Sequence, residues 1–205
     1  MLKIEDYDSN HIELLKEGVH YVAKKIGERC YSNFRSGDVS KFKSVSAKVK
    51  MIDNLQQTGM NTSLLCGIHR IKYFKNNYQQ LHVSSSKEGI YFYHSQANYI
   101  FGCQHYYGID SNLKFNKNGE SLVIHVDKEK DKLSLIDDYN HSWSIPLSHV
   151  VGDDPYAFSF LMFEPQVQFE IKFHSESKRS SDQKVKDENY FEGDQDLKDI
   201  KCLLF

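Results

Sequence analysis

The run Ser36-Gly37-Asp38-Val39-Ser40-Lys41-Phe42-Lys43-Ser44-Val45-Ser46-Ala47-Lys48-Val49-Lys50-Met51-Ile52 decides how the first third of the chain is read. Behind the Ser-Gly-Asp group, a good helix start, Val39, Phe42, Val45, Val49 and Ile52 fall at steps of three and four, and Thr58-Gly59 is a good stop. The spacing predicts a helix whose outer, solvated face carries Ser44, Ser46 and several lysines. Upstream, Ile12, Leu15, Val19, Val22 and Ile26 repeat those steps behind the caps Ser9 and Asn10, which predicts a first helix.

Downstream, residues 63–80 stay open between helix and strand. Leu65, Ile68, Ile71 and Tyr78 are spaced roughly as in a helix, but the aromatic and β-branched content suits a strand. Beyond Leu81 the period shortens toward two. Residues 89–93 and 121–126 read as strands, and the charged turn at 127–131 joins the latter to 132–136 as a hairpin. Residues 142–147, 156–163 and 166–174 continue the pattern, with Pro146, Pro155 and Pro165 as breakers. Helices first and a meander afterwards predict an α+β fold, with N-terminal helices over about 10–58 packed on a mostly antiparallel sheet over about 81–174.

The chain of 205 residues and 23.9 kDa has the size of one domain with a tail, here 1–174 followed by 175–201. A net charge of −2 excludes a broadly basic nucleic-acid binder. Residues 175–201 hold six basic and eight acidic residues, so the tail accounts for the whole net charge and the body is formally neutral. With few large apolar side chains, that tail is expected to be flexible. The acidic N-terminus lacks the apolar run of a secretory signal, and no stretch reaches the roughly 18–20 apolar residues of a membrane span. Widely spaced Cys30, Cys66, Cys103 and Cys202 fit reduced thiols in the cytoplasm, where the sequon Asn61-Thr62-Ser63 would be idle.

The last four residues, Cys202-Leu203-Leu204-Phe205, resemble the CaaX box of prenylated proteins. The resemblance implies a thioether lipid on Cys202, geranylgeranyl by the terminal Phe, with loss of the last three residues and methylation of the new terminus. The tail has neither a polybasic run nor a second cysteine, so one lipid would give reversible binding to a membrane surface. The plainer reading is a short apolar terminal strand.

Two constellations point to catalysis. Cys66-Gly67-Ile68-His69 and Cys103-Gln104-His105 place thiols near imidazoles, and a nucleophilic cysteine needs a base beside it. His125 on a strand, followed by the hairpin return to Asp137, Asp138 and Asn140, resembles the arrangement of papain-like hydrolases. This makes Cys66, Cys103, His105, His125 and Asp138 the catalytic candidates, with Cys30 as a further thiol. Separately, Asp154 followed by Glu170-x-Lys172 resembles a metal-dependent nuclease pattern, although one charged face is also what a half-buried strand shows. The ten histidines include no pair at i,i+4 and no H-E-x-x-H, so neither metal nor cofactor is expected. The reading that follows is a cytoplasmic binding or regulatory module with a protein partner, tethered by a prenylated C-terminus, and a host-directed effector if it comes from an intracellular bacterium. The alternative is the cysteine hydrolase or the nuclease.

Overall fold

The computed structural model describes residues 2–18, 20–53, 64–74, 77–78, 89–93, 99–102, 109–110, 112–115 and 117–176. In chain order the strands are β1 (Ile4–Tyr7), β2 (Ile12–Glu17), β3 (His20–Lys25), β4 (Tyr31–Ser36), β5 (Ser44–Asp53), β6 (Leu64–Arg70), β7 (Asn77–Tyr78), β8 (Gly89–Tyr93), β9 (Tyr99–Gly102), β10 (Ile109–Asp110), β11 (Ser121–Asp127), β12 (Lys132–Asp137), β13 (Ser142–Pro146), β14 (Tyr156–Met162) and β15 (Gln168–Glu176). One turn of helix, α1 (Ser148–Val151), precedes β14. All pairings among the described residues are antiparallel. One sheet runs β1-β4-β14-β6-β8-β9-β10 with β7 added to β4, and the other runs β13-β12-β11-β5-β15-β3-β2.

The two sheets face each other across a single core. Phe34 stacks on Phe160 at 4.9 Å within one sheet, and Phe158 reaches across to Phe173 of the other at 6.0 Å. Each fully buried Phe of this kind contributes about 2–3 kcal/mol by removal from water.

The expected α+β fold is overturned: the architecture is an antiparallel β-sandwich, and the segment read as N-terminal helices is β2 to β5. The physical reason lies in which residues occupy the inner face. Along β5, Val45, Ala47, Val49 and Met51 are all buried while Ser44, Ser46, Lys48 and Lys50 alternate with them, a period of two. Ile52, counted into the helical stripe, is 41% exposed. In the β2–β3 hairpin Ile12 points inward, whereas Leu15 pairs with Val22 on the outer face and is 52% exposed. Gly18 takes the positive φ of +63° that this tight reversal needs. The apparent three-four spacing thus ran across two strands and both faces. Between them, Val39–Lys41 makes one 3-10 turn capped by Asp38.

The open segment 63–80 contains β6, a 3-10 turn at Ile71–Tyr73, and β7. Strands expected at 89–93, 121–126, 132–136, 142–147, 156–163 and 166–174 are present as β8 and β11 to β15. The last runs to Glu176, slightly past the expected start of the tail. The rest of that tail and Cys202 lie outside the described residues.

Candidate binding surface

At one end of the sandwich, the loop entering β11 meets the β12–β13 turn, and a buried carboxylate joins them. Asp137 accepts the backbone N–H groups of Lys114 (2.7 Å), Tyr139 (2.9 Å) and His141 (2.9 Å), and its Oδ2 lies 2.9 Å from His141 Nδ1. Asp137 also closes the turn through its backbone, to His141 and Asn140, with Asn140 at a φ of +64°. Asp and Asn favour such turns because their short side chains bond nearby backbone and tolerate the left-handed region. Asp138 accepts Ser121 N–H at 2.5 Å, so both acids of the pair serve the backbone. Gly119, at a φ of +90°, lets the entering loop bend so that its N–H reaches Met51 O.

Tyr139 is thereby held out from the turn, 53% exposed. Its hydroxyl donates to Glu120 Oε1 at 2.9 Å, Glu120 Oε2 in turn accepts Lys117 N–H, and Lys114 Nζ sits 5.5 Å from the ring centroid. The hydrogen bond to Glu120, then that carboxylate's charge, with smaller effects from burial, Asp138 and Asp137, raise the phenol's pKa. The surface therefore presents a Tyr of fixed orientation beside the exposed Lys114, Lys117 and His141. Such an aromatic offers contact area at little entropic cost, because its rotamer is set before a ligand arrives.

The expected catalytic residues do not assemble here. Cys66 is fully buried on β6, on the side facing Phe160, and burial pushes its thiol pKa up, the reverse of what a thiolate nucleophile needs. His125 lies on the other sheet, between Ser134 and Ser46 and on the face away from the core. Asp138 is engaged by Ser121. Cys103 and His105 are outside the described residues. Cys30 neighbours Lys25 and Ser32, each at 3.5 Å. Nor do the nuclease candidates converge. Asp154 binds Lys72 at 2.9 Å and Arg70 at 3.3 Å beside one sheet, whereas Glu170 lies on the other, 2.7 Å from His20 and 3.5 Å from Lys172. Among the described residues no group of three or more His, Cys, Asp or Glu is arranged to hold a metal.

In the sequence Asp137, Asp138 and Asn140 stand out as polar candidates, whereas Tyr139 among them does not. The available signal was the turn chemistry of Asp137-Asp138-Tyr139-Asn140, which fixes the flanking strands and leaves the tyrosine at the apex.

No protein-family model matches the chain, and no curated protein matches it in sequence. Solved structures with the same architecture include the SPRY domain of human HERC1, at a TM-score of 0.53 and 10% identity over 85% of this chain and 100% of that one. The exoplasmic/lumenal domain of VIP36 in its Ca2+/Man-bound form aligns at 0.53 and 8% identity, covering 86% and 84%. The TRIM65 PSpry domain aligns at 0.53 and 7% identity, covering 83% and 91%. These likenesses define the class of fold, a sandwich of the kind found in SPRY and lectin domains.

Proposed function

We propose that the protein is a binding module that engages a protein partner through the Tyr139 end of the sandwich. The observation that carries this is Tyr139 itself: exposed, yet fixed by Glu120 and Lys114 over a turn pinned by Asp137. Aromatic residues held in this way are typical interface anchors, and the ring is flanked by both signs of charge, Lys114 and Lys117 beside Glu120, Asp137 and Asp138, which suits a peptide segment offering polar partners of either sign. The VIP36 domain named above is a Ca2+/Man-bound form, so a sugar stacked on Tyr139 is the competing ligand. A displayed random-peptide library and a glycan array, each probed with the wild type and Tyr139→Ala, separate the two. Peptides whose binding weakens at least about tenfold in the variant support the proposal. Binders indifferent to Tyr139, or glycans alone, contradict it.

The prenyl tether and a cytoplasmic location belong to the same proposal, and their support is the terminal Cys202-Leu203-Leu204-Phe205 and the sparse cysteines. A fluorescent fusion in a prenylating cell should lose its membrane fraction on Cys202→Ser. Unchanged localisation would remove the tether and leave the binding module.

A further inference from the structure

Lys25 is a core-facing residue at the end of β3 with no exposed surface, opposite Ile12 of β2. Its Nζ donates to Ile26 O at 3.0 Å, to Glu28 O at 2.9 Å and to Cys30 Sγ at 3.5 Å. A lysine of this burial is costly unless its head group is fully hydrogen-bonded, and the loop 26–30 wraps around it to supply the partners. The cage is fixed from outside. Lys25 N–H donates to Val167 O, Gln166 N–H to Lys25 O and Ile26 N–H to His11 O, while Arg29 holds buried Glu164 at 2.8 Å. Cys30, in contrast, is not in a disulfide and is only partly buried, so small oxidants reach it.

We propose that Lys25 and Cys30 form a thiol-reversible Sγ–Nζ bridge, a sulfenamide, when the protein meets a hydroperoxide. In the first step one peroxide oxygen is transferred to the Cys30 sulfur. The O–O bond breaks, the sulfur is oxidised by two electrons to the sulfenic acid, and hydrogen peroxide is reduced to water. In the second step the Lys25 ammonium gives up to solvent, on the partly exposed Cys30 side, the proton it directs at the sulfur, and the electron pair so freed attacks that sulfur. The S–N bond forms, the S–O bond breaks, and the departing hydroxyl takes a proton from nitrogen and leaves as a second water. The cage favours this course over further oxidation, because the amine is a fixed neighbour of the sulfur whereas a second peroxide must diffuse to it. An external thiol reverses it: thiolate attack at Sγ breaks the S–N bond and returns the amine, and a second thiol completes the reduction.

The test is peptide mapping of the full chain after about one equivalent of hydrogen peroxide, folded and in denaturing urea, with Cys30→Ser as control. The folded protein should yield residues 25–29, uncut after Lys25, joined to residues 30–35 as one species about 2 Da lighter than the sum of the two free peptides, and dithiothreitol should separate them. The joined species should be absent from the urea sample, where the cage is gone, and from Cys30→Ser. Two results would overturn the bridge. One is Cys30 carrying added oxygen while Lys25 stays cleavable in the folded protein. The other is equal cross-linking in urea, which would show that the folded geometry does nothing.

Discussion

Two loops at the same end of the sandwich solve one problem with opposite charges. In the β3–β4 loop a buried ammonium, Lys25, collects backbone carbonyls; in the β12–β13 turn a buried carboxylate, Asp137, collects backbone N–H groups. Both supply partners that loop backbone lacks once it leaves a ladder. The difference lies in the last partner. Asp137 completes its set with a histidine ring, and the product is a stiff turn that displays Tyr139. Lys25 completes its set with a thiol, and the product is a loop whose chemistry can change.

The comparison can be broken first at Lys25. Lys25→Ala removes a fully buried stem and leaves Ile26 O and Glu28 O without their donor, an expected loss of about 3–5 kcal/mol in urea unfolding. A loss under about 1 kcal/mol would mean the loop does not depend on its cation.

Asp137→Ala should cost about 2–4 kcal/mol, since three backbone N–H groups lose their acceptor at once. Asp137→Asn should recover part of this, because the amide oxygen still accepts. If Asn proved as harmful as Ala, the charge and not the acceptor geometry would be what holds the turn.

An ion pair outside the interior gives a third point of comparison. Burial acts to raise the pKa of Glu170, but the hydrogen bond from His20 and the Lys172 charge outweigh it, and the carboxyl lies below its ordinary value of 4.5. A depressed folded pKa stabilises above the unfolded value and is lost as pH falls through the folded one. Glu170→Gln should therefore flatten part of the decline in urea midpoint below about pH 4.5, with little effect at higher pH than the loss of one partly exposed pair.

The smallest effect on stability belongs to Glu120→Gln. With the carboxylate gone, the Tyr139 phenol should titrate closer to an ordinary tyrosine, read as an earlier absorbance change near the phenolate band on raising pH. An unmoved titration would show that Glu120 does not hold the ring.

The same two loops show how far the sequence could be read. From Ser121 onward, short apolar-rich runs are bounded by turns containing Asp, Asn, Gly or Pro, and the expected elements are there. Before it, Lys25 occupies an inner position where an apolar residue would have revealed the alternation, and Leu15 and Val22 occupy outer ones where polar residues would have done so. Along β5 the alternation Val45-Ser46-Ala47-Lys48-Val49-Lys50-Met51 was legible, but Val39, Phe42 and Ile52 extended it into a helical count. At the site, the acids of the β12–β13 turn stand out in the sequence as catalytic candidates, whereas in the fold they accept backbone N–H groups. What Tyr139 does was illegible, because its exposure is decided by partners 19 and 25 positions away, Glu120 and Lys114.

The central claim, that the Tyr139 end is preformed for binding, is met most directly by amide hydrogen exchange on the free protein. Lys114, Tyr139 and His141 lie outside any strand, so their amides are slow only if Asp137 holds them. Protection at all three in the wild type, lost together in Asp137→Ala while β11 and β12 stay protected, is the predicted result. Rapid exchange at these amides in the wild type would contradict it.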